Sequence, residues 1–208
     1  MKILNVEQGT AEWEQERLGK ISGTRLASAI GTPAKQETLI NELIAEQLTE
    51  QRKEIHINSA MARGSEAEDY AIQEYEIKTG EITEKAGFCI SDEYDWLGNS
   101  PDRLILKDGK YKKAVEVKCP NTDTLIGYIR NNKIPKEYEP QVMDYFLVNE
   151  DLEELDFVVY DPRIQTDKYR LWIIPVKRED LPIEKTKEQL LIFWSKYQKA
   201  LQKLNLEL

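Results

Sequence analysis

Asp102, Glu116 and Lys118 are the residues whose types and spacing point most directly to chemistry. They lie in the run GNSPDRLILKDGKYKKAVEVKC, from Gly98 to Cys119. Leu104 to Leu106 and Ala114 to Val117 read as strands, and Asp108-Gly109 is a favoured two-residue turn between them. If that turn sets the register, Asp102 falls opposite Val115 and within one residue of Glu116, with Cβ atoms roughly 5 to 8 Å apart. Alternation along a strand places Glu116 and Lys118 on one face and Val117 on the other. A bulge of one residue is enough to turn Asp102 toward the same cluster.

Two convergent carboxylates suit a hard divalent cation, because Mg²⁺ takes oxygen ligands and accepts one or two carboxylates together with phosphate oxygens. Asp102 would bridge the metals, Glu116 would ligate one, and the Val117 carbonyl would add a further oxygen. The Lys118 ammonium would orient or deprotonate a water, or hold phosphate charge. These are the parts that phosphodiester hydrolysis needs. A surface hairpin with an ordinary salt pair is the plain alternative.

The elements that must position this hairpin come before and after it. Over Ala60 to Glu76 a helical stripe runs through Met61, Gly64, Glu68, Ala71, Ile72 and Tyr75. It puts Glu68 on the face expected to be buried, where a carboxylate must be paired, protonated or linked to a metal through water. Near the start, TAEWEQERLGKISGTRLASAIG predicts two short helices broken around Gly19, with Arg17 ending the first. Ser22 or Thr24 would cap the second, whose amides suit a phosphate, and Arg17 beside them would add a multidonor contact. After the hairpin, IPKEYEPQVMDYFLVNE reads as a helix entered through Pro140, with Gln141 and Tyr145 one turn apart. Gln141 there is a candidate to donate to a phosphate or position water. Residues 155–160 and 169–176 read as strands extending the hairpin into a mixed sheet. A final stripe through Leu190, Trp194, Tyr197, Leu201 and Leu204 predicts a helix docked on that sheet, or else a subunit contact. GTPAKQ, residues 31–36, is the best candidate for mobility, and 51–59 is another expected loop.

The 208 residues fit one α/β or α+β domain. The expected organisation is a single domain over 1–208, with an N-terminal helical region over about 9–50 and a C-terminal helix over about 184–204. Cys89 and Cys119 make no disulfide framework and no four-cysteine metal site, so a reducing cytoplasm is the simple expectation. His56 is the only histidine, which leaves no HxxxH zinc motif, and there is neither a GxSxG elbow nor a Walker A loop. No apolar run reaches the ~20 residues of a membrane span, and no membrane partner is expected. A net charge of -9 argues against wrapping DNA with the whole surface, but not against a local phosphate site. Lys107, Lys110, Lys112 and Lys113 would serve either such a site or edge-strand protection.

SPD at 100–102 followed by VEVKCP at 115–120 resembles the PD-(D/E)xK nuclease core. With ERLGKISGT at 16–24, ARGSEAED at 62–69, PQVMDY at 140–145 and YDPR at 160–163, in that order, the chain is similar to the lambda exonuclease or YqaJ-type viral recombinase family. The resemblance implies a restriction-endonuclease-like core: a central mixed sheet flanked by helices. It implies that Asp102, Glu116 and the Val117 carbonyl hold magnesium, two ions with manganese as a substitute, that Lys118 acts on the water, and that Glu68 supports the metal or its waters. Gln141 would position the catalytic amine or phosphate, and Arg17 and Thr24 would hold a 5′ phosphate. The implied activity is 5′-to-3′ digestion of one strand of linear duplex DNA by a homotrimer in the host cytoplasm, leaving a 3′ overhang for a single-strand annealing protein. A restriction-like or structure-specific endonuclease, and a catalytically weak end-binding adaptor, are the alternatives. Met143 stands where the family often has a second glutamine.

Overall fold

The computed structural model describes residues 1–52 and 59–206, and side chains from Ala67 onward in the helix that opens at Ser59. The elements run β1 (Lys2–Leu4), α1 (Ala11–Glu16), α2 (Thr24–Ala29), α3 (Pro33–Thr49), α4 (Ser59–Thr79), β2 (Phe88–Ile90), β3 (Gly98–Asn99), β4 (Arg103–Lys107), β5 (Lys110–Lys118) and α5 (Thr122–Asn131). There follow α6 (Glu139–Val148), β6 (Glu154–Tyr160), a short α7 (Asp167–Arg170), β7 (Leu171–Lys177) and α8 (Ile183–Lys203). His56 and the side chain of Met61 lie outside the described residues, as does most of the loop expected over 51–59.

The main sheet has the order β4-β5-β6-β7, with β5 and β6 parallel and the outer pairs antiparallel. Central strands covered on both faces read as near-continuous apolar runs, as in the buried LDFVVY stretch of β6, where Asp156 is the single exception. Because side chains alternate, Ala114, Leu155, Phe157 and Val159 pack toward α2, α3, α6 and α8. Val115, Val117, Val158 and Tyr160 pack toward Ala71, Ile72 and Tyr75 of α4. The sheet is thus sandwiched, giving the mixed α/β class expected from the residues and the PD-(D/E)xK type of core that the resemblance implies. Leu190, Phe193, Trp194, Tyr197 and Leu201 of α8 are buried, with Trp194 stacked on Trp96 at 4.4 Å between centroids. The stripe therefore docks on its own chain, and only Leu204, past the helix end, is exposed.

Three local outcomes differ from the sequence expectation. GTPAKQ is the start of α3: the Thr32 hydroxyl accepts from Lys35 N–H, and Pro33 occupies the first turn, where its missing N–H carries no penalty. Tyr169 and Arg170 belong to α7, so the last strand begins at Leu171. A second antiparallel sheet, β1-β2-β3, also forms from segments too short to show a period. At Gly98 the strands approach so closely that a Cβ would lie 2.6 Å from the Cys89 carbonyl oxygen. This small sheet anchors the chain just before Ser100 to Asp102.

Candidate active site

Asp108 and Gly109 both adopt positive φ, 53° and 78°, as a two-residue hairpin turn requires. Next to the turn Lys107 pairs with Lys110 and Leu106 with Tyr111, but beyond it Ile105 pairs with Lys113 and Arg103 with Val115. The single-residue shift between Ile105 and Leu106 moves Asp102 from the Val115 position toward Glu116. Asp102 Oδ2 then accepts the Val117 N–H at 2.7 Å. The β4 ladder ends at Arg103, and in an extended strand the N–H and C=O of one residue point to the same side. The Val117 carbonyl is therefore turned toward Asp102, free of β4.

Glu116, on the central strand, has a side chain only 1% exposed. Its two oxygens accept from the Lys118 ammonium and the Tyr145 hydroxyl. Tyr145 in turn accepts the Asp102 backbone N–H at 3.1 Å, so a single α6 hydroxyl ties the two carboxylate-bearing segments together. The Lys118 ammonium also sits 5.2 Å from the Tyr138 ring centroid. Glu68, one turn before Ile72 on α4, faces Arg103 at 3.3 Å, and the same guanidinium donates to the Asp102 carbonyl at 2.5 Å.

The electrostatics are those of an incompletely neutralised acidic cluster. Burial, then the Glu116 charge, pushes the Asp102 carboxyl well above the usual range against the opposing pull of Lys118. Burial likewise raises Glu68, with Asp69 and Glu116 adding to it and Arg103 opposing. Burial works to lower Lys118, yet the Glu116 and Asp102 carboxylates together carry it above the ordinary lysine value. Among the described residues no three acidic, histidine or cysteine side chains converge as a complete metal cage. The donors are instead two mutually repelling carboxylates and a backbone carbonyl. That fits Mg²⁺, which retains several waters and shares phosphate oxygens, rather than an ion enclosed by protein.

A second, cationic cluster adjoins this centre. Arg17 caps the end of α1 and lies over the Trp13 ring at 3.8 Å, while Trp13 Nε1 donates to Ser100 Oγ at 2.9 Å. Ser100 is two residues before Asp102. Arg25 and Arg52 share buried Glu46 as an ion-pair partner, and Arg52 also reaches Glu14 at 3.1 Å. The Nε groups of Arg17 and Arg52 are buried without a hydrogen-bond partner. Burial, then the Arg52 charge, lowers Arg17 to about 10. Buried guanidiniums with unsatisfied donors suit an anion.

Thr24 opens α2 and is exposed, but neither it nor Ser22 provides the expected cap. The N-cap is Gly23, and its N–H is taken at 2.7 Å by Asp144, fully buried on α6. An acceptor from a distant helix leaves no local sequence signal. Gln141 lies partly exposed one turn before Tyr145 and makes no hydrogen bond to the carboxylates, and Met143 is buried in the core. The hairpin lysines form no free basic stripe. Lys107, Lys110 and Lys113 pair with Glu81, Asp151 and Asp156 at 3.0, 2.6 and 2.8 Å, and Lys112 with Glu153 at 3.2 Å. Sequence reasoning missed Ser100, Arg25, Arg52 and Arg103. The last directly follows the SPD motif, and its charge inside an apolar strand was the available signal.

A mixed sheet carrying Asp102 and the Glu116-Val117-Lys118 strand end defines a PD-(D/E)xK nuclease, a phosphodiester hydrolase. Residues 12–151 match the YqaJ-like viral recombinase domain. The chain is similar to an alkaline exonuclease, LHK-Exo, from Laribacter hongkongensis: 32% identity and a TM-score of 0.84, over 94% of this chain and 96% of that one. LHK-Exo in complex with dAMP gives 31% identity and a TM-score of 0.83 over the same shares, 94% and 96%. A phage-related exonuclease from Haemophilus somnus 129PT shares the fold, with a TM-score of 0.62 at 16% identity over 89% of this chain and 96% of that one. No curated protein matches significantly. The chain belongs to the YqaJ-like viral recombinase family. No helix among the described residues is long and apolar enough to cross a membrane.

Proposed function

We propose that this nuclease is a magnesium-dependent exonuclease that digests one strand of linear duplex DNA from its 5′ end, leaving a 3′ overhang for strand annealing. The observation that carries this reading is the link from Arg17 through Trp13 and Ser100 to Asp102. Only Pro101 separates Ser100 from Asp102, a span of at most about 7 Å of extended chain. An anion held by Arg17 and Arg52 is therefore tied, through one ring contact and one hydrogen bond, to the turn that carries Asp102. A terminal 5′ phosphate is such an anion, and its capture would register the first phosphodiester bonds against the centre. Thr24 is assigned to the same phosphate.

Magnesium, when bound to Asp102, Glu116 and the Val117 carbonyl, supplies a nucleophilic water at neutral pH and stabilises charge on the phosphate. The chain's own residues do the rest. Tyr145 and Lys118 fix the Glu116 carboxylate, and the Val117 N–H fixes Asp102, so that both point at one place. Lys118 orients the attacking water and offsets charge on the phosphate oxygens. Glu68, steadied by Arg103, holds water beside them, and Gln141 positions the phosphate. Water oxygen bonds to phosphorus, the bond to the 3′ oxygen breaks, and that oxygen takes up a proton, releasing a 5′ mononucleotide.

The proposal includes a homotrimer around the duplex and a single-strand annealing protein as partner. The test is a magnesium time course on matched linear and covalently closed duplexes with each strand end labelled separately. Loss of the linear substrate alone, from its 5′ ends, is expected. Cutting of the closed circle would establish an endonuclease instead, and cleavage of neither would refute turnover by this chain acting alone.

A further inference from the structure

We propose that the cavity beyond the carboxyl ends of β5 and β6 holds one unpaired nucleobase of the strand being hydrolysed, next to the scissile bond. The inference rests on the exonuclease reading above. The cavity measures about 290 Å³, a volume suited to one base with part of its sugar. Its floor is Cys119 and Pro120 after β5, and Tyr160, the last residue of β6, with Asp161 to Arg163 after it. These follow the parallel pair of the sheet, and ligands of open α/β sheets bind outside the carboxyl ends of parallel strands.

The cavity is continuous with the chemistry. Cys119 follows Lys118 and turns to the α4 face, where Glu68, Asp102, Lys118 and Asp161 are the charges that act on its thiol. The far wall is α4, which carries Glu68 toward the centre and Ala67 and Tyr70 toward the cavity. A strand whose phosphate lies at Asp102 and Glu116 thus has this cavity within one nucleotide.

The lining selects for a flat, uncharged group. It is chiefly apolar, with Pro120 and Pro162 as rigid walls. Its cation, Arg163, is already matched: Asp161, 1% exposed, accepts from Arg163 Nε at 2.8 Å, from Nη2 at 3.0 Å and from the backbone N–H at 3.0 Å. The Thr122 hydroxyl bonds the same carboxylate. A guanidinium locked in this way offers its planar face rather than free charge, which suits stacking and not capture of a phosphate. Tyr70 is 64% exposed at the rim, a large aromatic surface that the core does not use. Successive bases of a single strand stack on such rings with little sequence preference.

The experiment follows stepwise digestion, by rapid quench, of a 5′-phosphorylated duplex with one abasic residue placed a few nucleotides from the digested end. Wild-type enzyme should slow about tenfold at the single step that brings the abasic residue into the cavity. Tyr70→Ala should slow every step by about the same factor and show no additional pause at the abasic residue, whereas Tyr70→Phe should behave as wild type. A wild-type enzyme that passes the abasic residue at full rate while digestion proceeds would overturn the base site and leave the exonuclease reading intact. So would a Tyr70→Ala enzyme that retains the full pause. Failure of wild-type enzyme to digest unmodified linear duplex would overturn the exonuclease reading, and this inference with it.

Discussion

Removing one oxygen atom from Tyr145 tests whether the two carboxylate segments are held by α6. The hydroxyl donates to Glu116 Oε2 and accepts the Asp102 N–H at 3.1 Å, and the residue is only 2% exposed. Tyr145→Phe keeps the ring and its packing, so no cavity forms, but it deletes a hydrogen bond to a buried charged group and leaves a backbone N–H without its partner. Hydrogen bonds to charged groups contribute about 1.5–3 kcal/mol each, and an orphaned buried donor costs about 1–3 kcal/mol. Part of this appears as stability, a loss of about 2 kcal/mol in urea unfolding. If half of the remainder falls on the geometry of Glu116 and Asp102, about 0.3–2 kcal/mol of activation free energy is lost, centred near 1.1 kcal/mol or roughly sixfold in kcat. KM for DNA should change little, because Tyr145 bonds the carboxylate segments and none of the arginines, while half-maximal activity should require more magnesium. The assay is a magnesium titration of steady-state digestion of a linear duplex, with unfolding curves alongside. A variant destabilised as expected but with kcat and magnesium dependence within twofold of wild type would refute a positioning role and leave Tyr145 as a core residue.

Asp102→Asn retains size but loses the charge that a divalent ion needs, so turnover should fall at least a thousandfold while duplex binding changes less than tenfold; gel-shift and cleavage assays separate the two. Arg17→Ala and Arg52→Ala should each reduce the rate ratio between 5′-phosphorylated and 5′-hydroxyl ends about tenfold, and an unchanged ratio in both would remove the arginine cluster from end recognition. Asp144 gives a pH signature. Burial, opposed by the Gly23 N–H, holds its carboxyl well above the ordinary value, so the folded state binds its proton more tightly than the unfolded chain does. Its contribution to stability is full below the unfolded value of about 4 and is lost as pH rises through the folded value. Asp144→Asn keeps an oxygen for Gly23 but cannot titrate, so urea unfolding should show the variant gaining on wild type as pH rises from 4 to 8; parallel stability curves would contradict this.

What the sequence disclosed was local. The hairpin, its Asp108-Gly109 turn and the alternation that pairs Glu116 with Lys118 all depend on neighbours in the chain, and the parallel strand LDFVVY announces itself as an apolar run interrupted only by Asp156. The side of the sheet that Asp102 faces was undecided by one residue, because a bulge has no strong sequence mark: it follows from how the strands twist between α4 and the opposing helices. The small β1-β2-β3 sheet was invisible for a related reason. Strands of two or three residues have no period, and their pairing spans most of the N-terminal half of the chain. The arginine cluster was half legible. Arg17 sits beside a glycine-bearing turn, whereas Arg52 joins it only because α3 returns the chain to α1, with buried Glu46 between Arg25 and Arg52.

The same contrast explains how this acidic chain can address a polyanion. Its hairpin lysines suggested a basic surface, but each is spent on a nearby carboxylate, and pairs this exposed contribute little attraction for DNA. The donors without a hydrogen-bond partner are instead the buried Nε groups of Arg17 and Arg52, and Arg17 lies over Trp13, which lines the cleft that reaches Asp102 and Glu68. Repulsion from the remaining surface would then disfavour binding along the duplex, while the arginine cluster would favour a strand terminus. On this argument a net charge of -9 acts as a filter for ends. Raising ionic strength should weaken end binding much less steeply than it weakens proteins that neutralise many phosphates. A log–log salt slope near one or two for a 5′-phosphorylated end is expected, and a slope near that of a wrapping protein, about -0.9 per phosphate over six or more phosphates, would show that the duplex is held along its length.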